Sequence, residues 1–168
     1  MSTINYLQAS DKTISDIKSK GAFLVVKSEI NDLVNVMTIG WISMGFIWGK
    51  PIMTVMVRKS RFTYQLIEKA TSFTVSIPKQ GLKEALIFCG TKSGRDFDKL
   101  KECSLSIAPA KKITTPIINI PGEHYECKIV CKSEMLSECL CDEYREKQYK
   151  DNDFHTFYFG EITEHYHI

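Results

Sequence analysis

No stretch of this 168-residue sequence is apolar for long enough to cross a membrane. A spanning helix needs about 18 or more apolar residues in a row. The most apolar stretch, residues 39–48, is interrupted by Gly40, Ser43 and Gly45 and stops at Lys50-Pro51. The N-terminus, MSTINYLQASDKTISDIK, has no apolar h-region and carries acids early, which argues against export and for a cytoplasmic location. An excess of one charge is missing as well: 22 Lys and Arg face 20 Asp and Glu, a formal net charge of +2. A dedicated nucleic-acid binder carries a concentrated basic excess, so that class is excluded and any bound anion must be held locally. The G-x4-G-K-[ST] phosphate loop is absent, and so is GxGxxG. No Ser/His/Asp or Cys/His spacing marks a nucleophile, and no pair of carboxylates stands out.

Cysteine is present but not in metal-knuckle order. The six are Cys89, Cys103, Cys127, Cys131, Cys139 and Cys141. Cys127 and Cys131 sit in a strand-like run, where positions i and i+4 lie about 13 Å apart, too far to share an ion. Free thiols are the expectation for a chain without an export signal, and no metal site is assigned.

What remains is ordinary globular composition, 43% hydrophobic and 25% charged. The length suits one compact domain over 1–168, which can bury roughly two-thirds of its unfolded surface without a staple. Short runs rich in β-branched residues predict strands at 22–27, 34–39, 52–57, 72–77, 124–132 and 156–162, with apolar pieces at 105–107 and 117–120. Helical spacing predicts helices at 10–18, 62–70 and 82–89. Residues 137–153 carry many charges and neither Gly nor Pro, and read as a surface excursion with a short helix at DEYREKQY. Many short strands with inserted helices suggest a small β-barrel, mainly β or α+β.

Three clusters carry potential chemistry. Arg58-Lys59-Ser60-Arg61-Phe62-Thr63 lies where a strand gives way to a helix. Free N–H groups, the positive end of the helix dipole, three cations and two hydroxyls together make a phosphate cradle. On spacing alone, Ser60 as a simple helix cap with solvated cations explains the cluster equally well. Residues 89–99, CGTKSGRDFDK, offer two glycines, hydroxyls and exposed amides to a polar ligand edge, or form only a structural turn. In NVMTIGW (35–41), a strand glycine between Thr38 and Trp41 marks a bulge or a close backbone approach to a ligand. Trp41 then walls a flat aromatic ligand or is simply core. Of the four histidines, His165 and His167 fall at an exposed tail, and His155 opens the last strand.

Taken in this order and at these intervals, NVMTIGW, RKSRFTYQLIEKATSFTVSIP (58–78) and FCGTKSGRDFDK (88–99) resemble the flavin reductase-like family of FMN-binding split barrels, which includes the flavoredoxins. HYECKIV (124–130) and DFHTFYFGEI (153–162) are similar to the family too, so the likeness spans roughly 21–162. The resemblance implies a Greek-key split β-barrel acting as a homodimer, with FMN held noncovalently near the dimer interface. It implies Met37, Thr38 and Trp41 along the isoalloxazine and ribityl chain, and Arg58, Ser60, Arg61 and Thr63 at the phosphate. Cys89, Gly90, Ser93 and Lys99 would approach from the second loop, with Lys99 as the positive donor to the reduced ring. His155 would border the open face as a substrate-side contact. The implied activity is that of an NAD(P)H:flavin reductase with a small-molecule acceptor, the chemistry residing in the flavin and not in a catalytic side chain. The alternatives are an electron carrier fed by a redox protein partner and a flavin-free binding module on the same barrel.

Overall fold

The structure, a computed structural model, describes the backbone from Tyr6 and the side chains from Ser10 to Ile168. Helix α1 (Tyr6–Lys20) is longer than its expected 10–18. It ends at Gly21, whose φ of +81° is the left-handed conformation of a helix stop, and the Gly21 N–H donates to Ile17 O at 2.8 Å. The chain then forms a hairpin of β1 (Ala22–Lys27) and β2 (Val34–Ile39). Every apolar residue of β1 is buried, because both faces of this strand are covered. Leu24 and Val26 face the main core, and Phe23 and Val25 face a second cluster that includes Ala85, Leu86 and Cys89.

A second hairpin pairs β3 (Ile42–Ile47) with β4 (Lys50–Arg58) through Trp48-Gly49. Both turn residues have positive φ, 54° and 71°, the signature of a two-residue turn that matches strand twist. Strand β3 is absent from the sequence expectation. It is an edge strand with most side chains in solvent, so the burial that creates an alternating pattern is missing. Helix α2 (Phe62–Ile67) is shorter than 62–70, and residues 69 and 70 close as tight turns onto Leu66 O and Ile67 O. Strand β5 (Ser72–Pro78), α3 (Lys83–Thr91) and the single turn α4 (Lys99–Glu102) come next, the last capped by the Asp98 side chain accepting from Lys101 N. A small ladder joins β6 (Ile107–Ala108) to β7 (Ile117–Ile118). The long ribbon of β8 (Gly122–Glu134) and β9 (His155–His167) is interrupted by the excursion, where α5 (Asp142–Gln148) forms at the expected place.

The seven large strands pair antiparallel throughout in the order β2-β1-β5-β8-β9-β4-β3. The two edge strands, β2 and β3, are chain neighbours joined only by Gly40-Trp41 and do not pair with each other. The sheet therefore curls around its core without closing, which is the split barrel. Met37, Val55, Val57, Phe73, Val75, Tyr125 and Tyr158 fill the interior. Between Ile39 and Ile42 the missing ladder leaves a cleft, and the starts of α2 and β9 converge on it.

Candidate functional site

The cleft at the split holds a space of about 260 Å³ walled by Met37 to Trp41 on one side and by Met56, Arg58, Arg61 and His155 on the other. A smaller space of about 140 Å³ adjoins it, walled by Ser60 to Thr63, Cys89, residues 91–95 and Lys99. Met37 and Arg61 border both. The second space is thus cationic and rich in hydroxyls, and the first sets the apolar and aromatic side chains of Met37, Ile39, Trp41 and Met56 against Arg58, Arg61 and His155.

The polar space forms where β4 hands over to α2. Arg61 is the N-cap residue, and no side chain caps the helix. Tyr64 N already closes onto Arg61 O at 3.0 Å, which leaves the N–H groups of Phe62 and Thr63 as the leading donors of the helix to an anion. The Arg61 guanidinium is exposed and donates from Nη1 to Gly90 O at 3.0 Å, bridging α2 to α3. Arg95 reaches in from the loop after α3, donating to Ser60 O at 3.2 Å with its guanidinium over the Phe62 ring. Ser93 Oγ accepts from Arg95 N. Thr63 is buried and its hydroxyl accepts from Asn35 Nδ2 at 2.8 Å. Gly94 permits this closeness: a Cβ there would stand 2.2 Å from Asn35 Oδ1 and 2.7 Å from the Phe62 ring.

Arg58 and Ser60 border the cleft as expected, but their polar atoms are engaged by the segment that precedes β9. Arg58 donates to Asp153 O at 2.9 Å, Gln148 O at 2.8 Å and Asp151 Oδ1 at 3.3 Å, and lies over the Tyr149 ring. Ser60 donates from N and Oγ to the Asp153 carboxylate at 3.1 and 2.6 Å. The reason is electrostatic: Asp153 brings a carboxylate of the chain itself to the donors that the sequence offers to an anion. Asp153 and Arg95 are the site residues that sequence reasoning missed. Arg95 stood inside the CGTKSGRDFDK string, whereas nothing local to Asp153 marks it.

On the second loop, Cys89 is buried with its Sγ 4.0 Å from Cys103 Sγ, and burial pushes its thiol up to about 12. It is a neutral wall and not a nucleophile. Gly90 packs on Thr38, where a Cβ would meet Thr38 Cβ at 3.3 Å. Thr38 Oγ1 donates to Leu86 O at 2.5 Å. Lys99 is buried, and its Nζ donates to Val36 O and Cys89 O, each at 2.9 Å. Burial lowers its pKa from the ordinary lysine value.

The outer rim is aromatic. Trp41 is 46% exposed, so it is not core, and its ring lies 5.4 Å from the His155 ring. His155 is buried, with Nδ1 2.8 Å from Tyr149 Oη. Burial and the Arg58 and Arg61 charges pull its pKa down to about 4, so the ring is neutral at physiological pH. The structure places eleven of the expected residues, Met37, Thr38, Trp41, Arg58, Ser60, Arg61, Thr63, Cys89, Ser93, Lys99 and His155, around two adjoining spaces; Gly90 lines neither and packs on Thr38 behind them.

The chain is 30% identical over 100 residues to an uncharacterized protein of Archaeoglobus fulgidus, a match covering 60% of this chain and 56% of that one. Among solved structures it is similar to the flavoredoxin of Desulfovibrio vulgaris, with a TM-score of 0.69 and 20% identity over 88% of this chain and 69% of the other. An FMN-binding protein of Thermus thermophilus with bound 1-cyclohex-2-enone gives a TM-score of 0.67 and 22% identity, covering 88% and 69%. At these identities the likeness is one of fold. The family model described as flavin reductase like domain matches residues 4–168. With nearly the whole chain matched and the split barrel in place, the protein belongs to the flavin reductase like domain family.

Proposed function

We propose that this protein is an FMN-binding flavoprotein oxidoreductase that takes a hydride from NAD(P)H and passes electrons to a small-molecule acceptor. The observation that carries the reading is the union, across Arg61, of a cationic space at an uncapped helix start with a cleft that Met37, Ile39, Trp41 and Met56 wall on its apolar side. A mononucleotide of a flat heterocycle has those two ends. The donor set fits it: Arg61, Ser93, Thr63 and the first N–H groups of α2 would hold the phosphate, with Arg58 and Ser60 behind them on Asp153. Met37, Thr38, Cys89 and Gly90 would border the ring and its chain. Bound FMN supplies the hydride and electron transfer, and the protein sets position, potential and access.

The chain's own contributions rest on this geometry. Lys99 fixes β2 against α3 and places a positive charge beside the cleft. That charge favours a ligand that becomes more anionic on reduction. His155 offers an uncharged imidazole to a substrate at the open face, held in orientation by Tyr149. Trp41 leaves that face accessible. The same accessibility favours a second reading, an electron carrier that takes its electrons from a redox protein. In either case the protein acts as a homodimer, a reading supported by the exposed apolar side chains of the β3–β4 hairpin, Phe46 and Trp48, each 63% exposed.

One set of measurements decides. The purified protein should be yellow or take up added FMN stoichiometrically, and Arg61→Ala should weaken FMN binding by roughly 1.5–3 kcal/mol, the range for a hydrogen bond to a charged group. Steady-state oxidation of NADH or NADPH with FMN marks the reductase; FMN binding without it marks the electron carrier. A preparation that stays colourless with excess FMN is the flavin-free module and removes the redox reading. Unchanged FMN affinity in Arg61→Ala removes the phosphate assignment.

A further inference from the structure

We propose that Glu123, His165 and His167 form a site for one divalent transition-metal ion of the zinc type, at the end of the β8–β9 ribbon remote from the flavin cleft. By sequence alone the two histidines have no role beyond an exposed tail. Strand pairing supplies what is not visible there. His165 and His167 are two apart on β9 and so share a face of the sheet. Register sets Glu123 directly across from His167 and Tyr125 across from His165, which puts the carboxylate between the two imidazoles. His155 of the flavin cleft is ten residues away from His165 on the same strand, roughly 33 Å at strand rise.

The geometry is close to a ligand set. Glu123 Oε1 is 2.7 Å from His165 Nε2 and 4.0 Å from His167 Nε2, and one ligand atom from each residue lies within 4.8 Å of the others. Two ligand atoms on one zinc stand about 3–3.5 Å apart at bond lengths near 2.0–2.2 Å. His165 has only to part slightly from the carboxylate, and His167, exposed in the penultimate position of the chain described, has only to swing inward. A hydrogen-bonded Glu–His pair would account for His165 alone. The second imidazole over the same oxygen is what makes three ligands with one position open.

The surroundings are those of an oriented ligand set. Glu123 is 3% exposed, so its carboxylate cannot turn to water. Tyr125 Oη donates to its Oε1 at 3.1 Å and Thr13 Oγ1 to its Oε2 at 3.2 Å. The His165 ring lies flat on the Tyr125 ring, with centroids 4.3 Å apart and planes 9° from parallel. Outer contacts of this kind fix the rotamers and orientation of metal ligands. Two imidazoles and one carboxylate suit zinc, nickel, cobalt or copper over calcium or magnesium, which prefer oxygen alone. A bound ion would clamp the start of β8 to the end of β9 and, through Thr13, to α1.

The test uses the untagged full-length protein with Zn2+ alone in a calorimetric titration, and Co2+ for the absorbance spectrum. One ion should bind per chain, His167→Ala should lower the affinity about tenfold or more, and the rise of the thermal midpoint at a fixed metal concentration should be smaller in the variant than in the wild type. The cobalt spectrum should show d–d bands without the thiolate charge-transfer absorption that binding at the six cysteines would produce. His167 is exposed, so this variant keeps its fold; His165→Ala, checked by circular dichroism, should behave alike. Absence of saturable binding, binding unchanged in His167→Ala, or a thiolate-dominated cobalt spectrum would each overturn the site.

Discussion

His155 shows how a residue's surroundings set its chemistry. It is buried at the cleft rim beside Arg58 and Arg61, and its folded pKa lies near 4 against an ordinary value of 6.5. A depressed pKa in a base means that the unfolded chain takes up a proton that the folded chain refuses. This stability is complete above pH 6.5 and is lost as pH falls through about 4. Allowing for solvent at the cleft mouth, the loss is on the order of 2 kcal/mol. Carboxylates titrate over part of the same range, so the wild type should be compared with His155→Gln by urea unfolding between pH 7 and 4. The decline should be shallower in the variant; parallel curves would mean that His155 does not titrate as stated. Residue type and position in the chain marked His155 as a contact. Its neutral state comes first from burial and then from the charges of Arg58 and Arg61, surroundings that no local pattern carries.

Lys99 works between elements. Its Nζ joins Val36 O of β2 to Cys89 O near the end of α3, so one buried cation sets how the second loop sits over the edge strand. The family resemblance of CGTKSGRDFDK implies Lys99 as a ligand contact, and the structure adds a role as a brace. Replacing it with Met removes two donors from buried carbonyls while relieving the desolvation of the charge, for a net loss of about 1–3 kcal/mol. The urea midpoint of Lys99→Met should fall with an unchanged slope. If the midpoint is unmoved, the two carbonyl contacts contribute nothing. Element boundaries were legible where burial makes a pattern. Strands β1, β2 and β5 match their expected ranges to within a residue because their apolar faces meet the core. Strand β3 was missed and α2 overextended, since an edge strand has little to bury and the last turn of a helix depends on the residues beyond it.

For the molecule as a whole, the β3–β4 hairpin is the feature that points outward. Trp48 sits at the tip with a φ of 54°, an uncommon conformation for a bulky residue, and is held edge-on to Phe159 at 6.2 Å. A strained, exposed tryptophan at the sheet edge agrees with the proposed self-association. Trp48→Glu should move the protein from dimer toward monomer in sedimentation, and a monomeric wild type would remove that proposal. Alternating and β-branched runs and turn residues were enough to read a small β-barrel, because burial periodicity is local and leaves a trace in consecutive residues, whereas the split barrel and its site residues came from the resemblance that the three motifs carry. Where the donors point was a matter of three-dimensional neighbours. Asp153 reaches Ser60 across 93 positions, just beyond the Arg58–His155 end of the β4–β9 ladder, and Glu123 meets His165 across 42, diagonally across the β8–β9 ladder, contacts that depend on strand register. A register carries no signature in either partner's own stretch of sequence, so it becomes visible only when the strands are laid side by side.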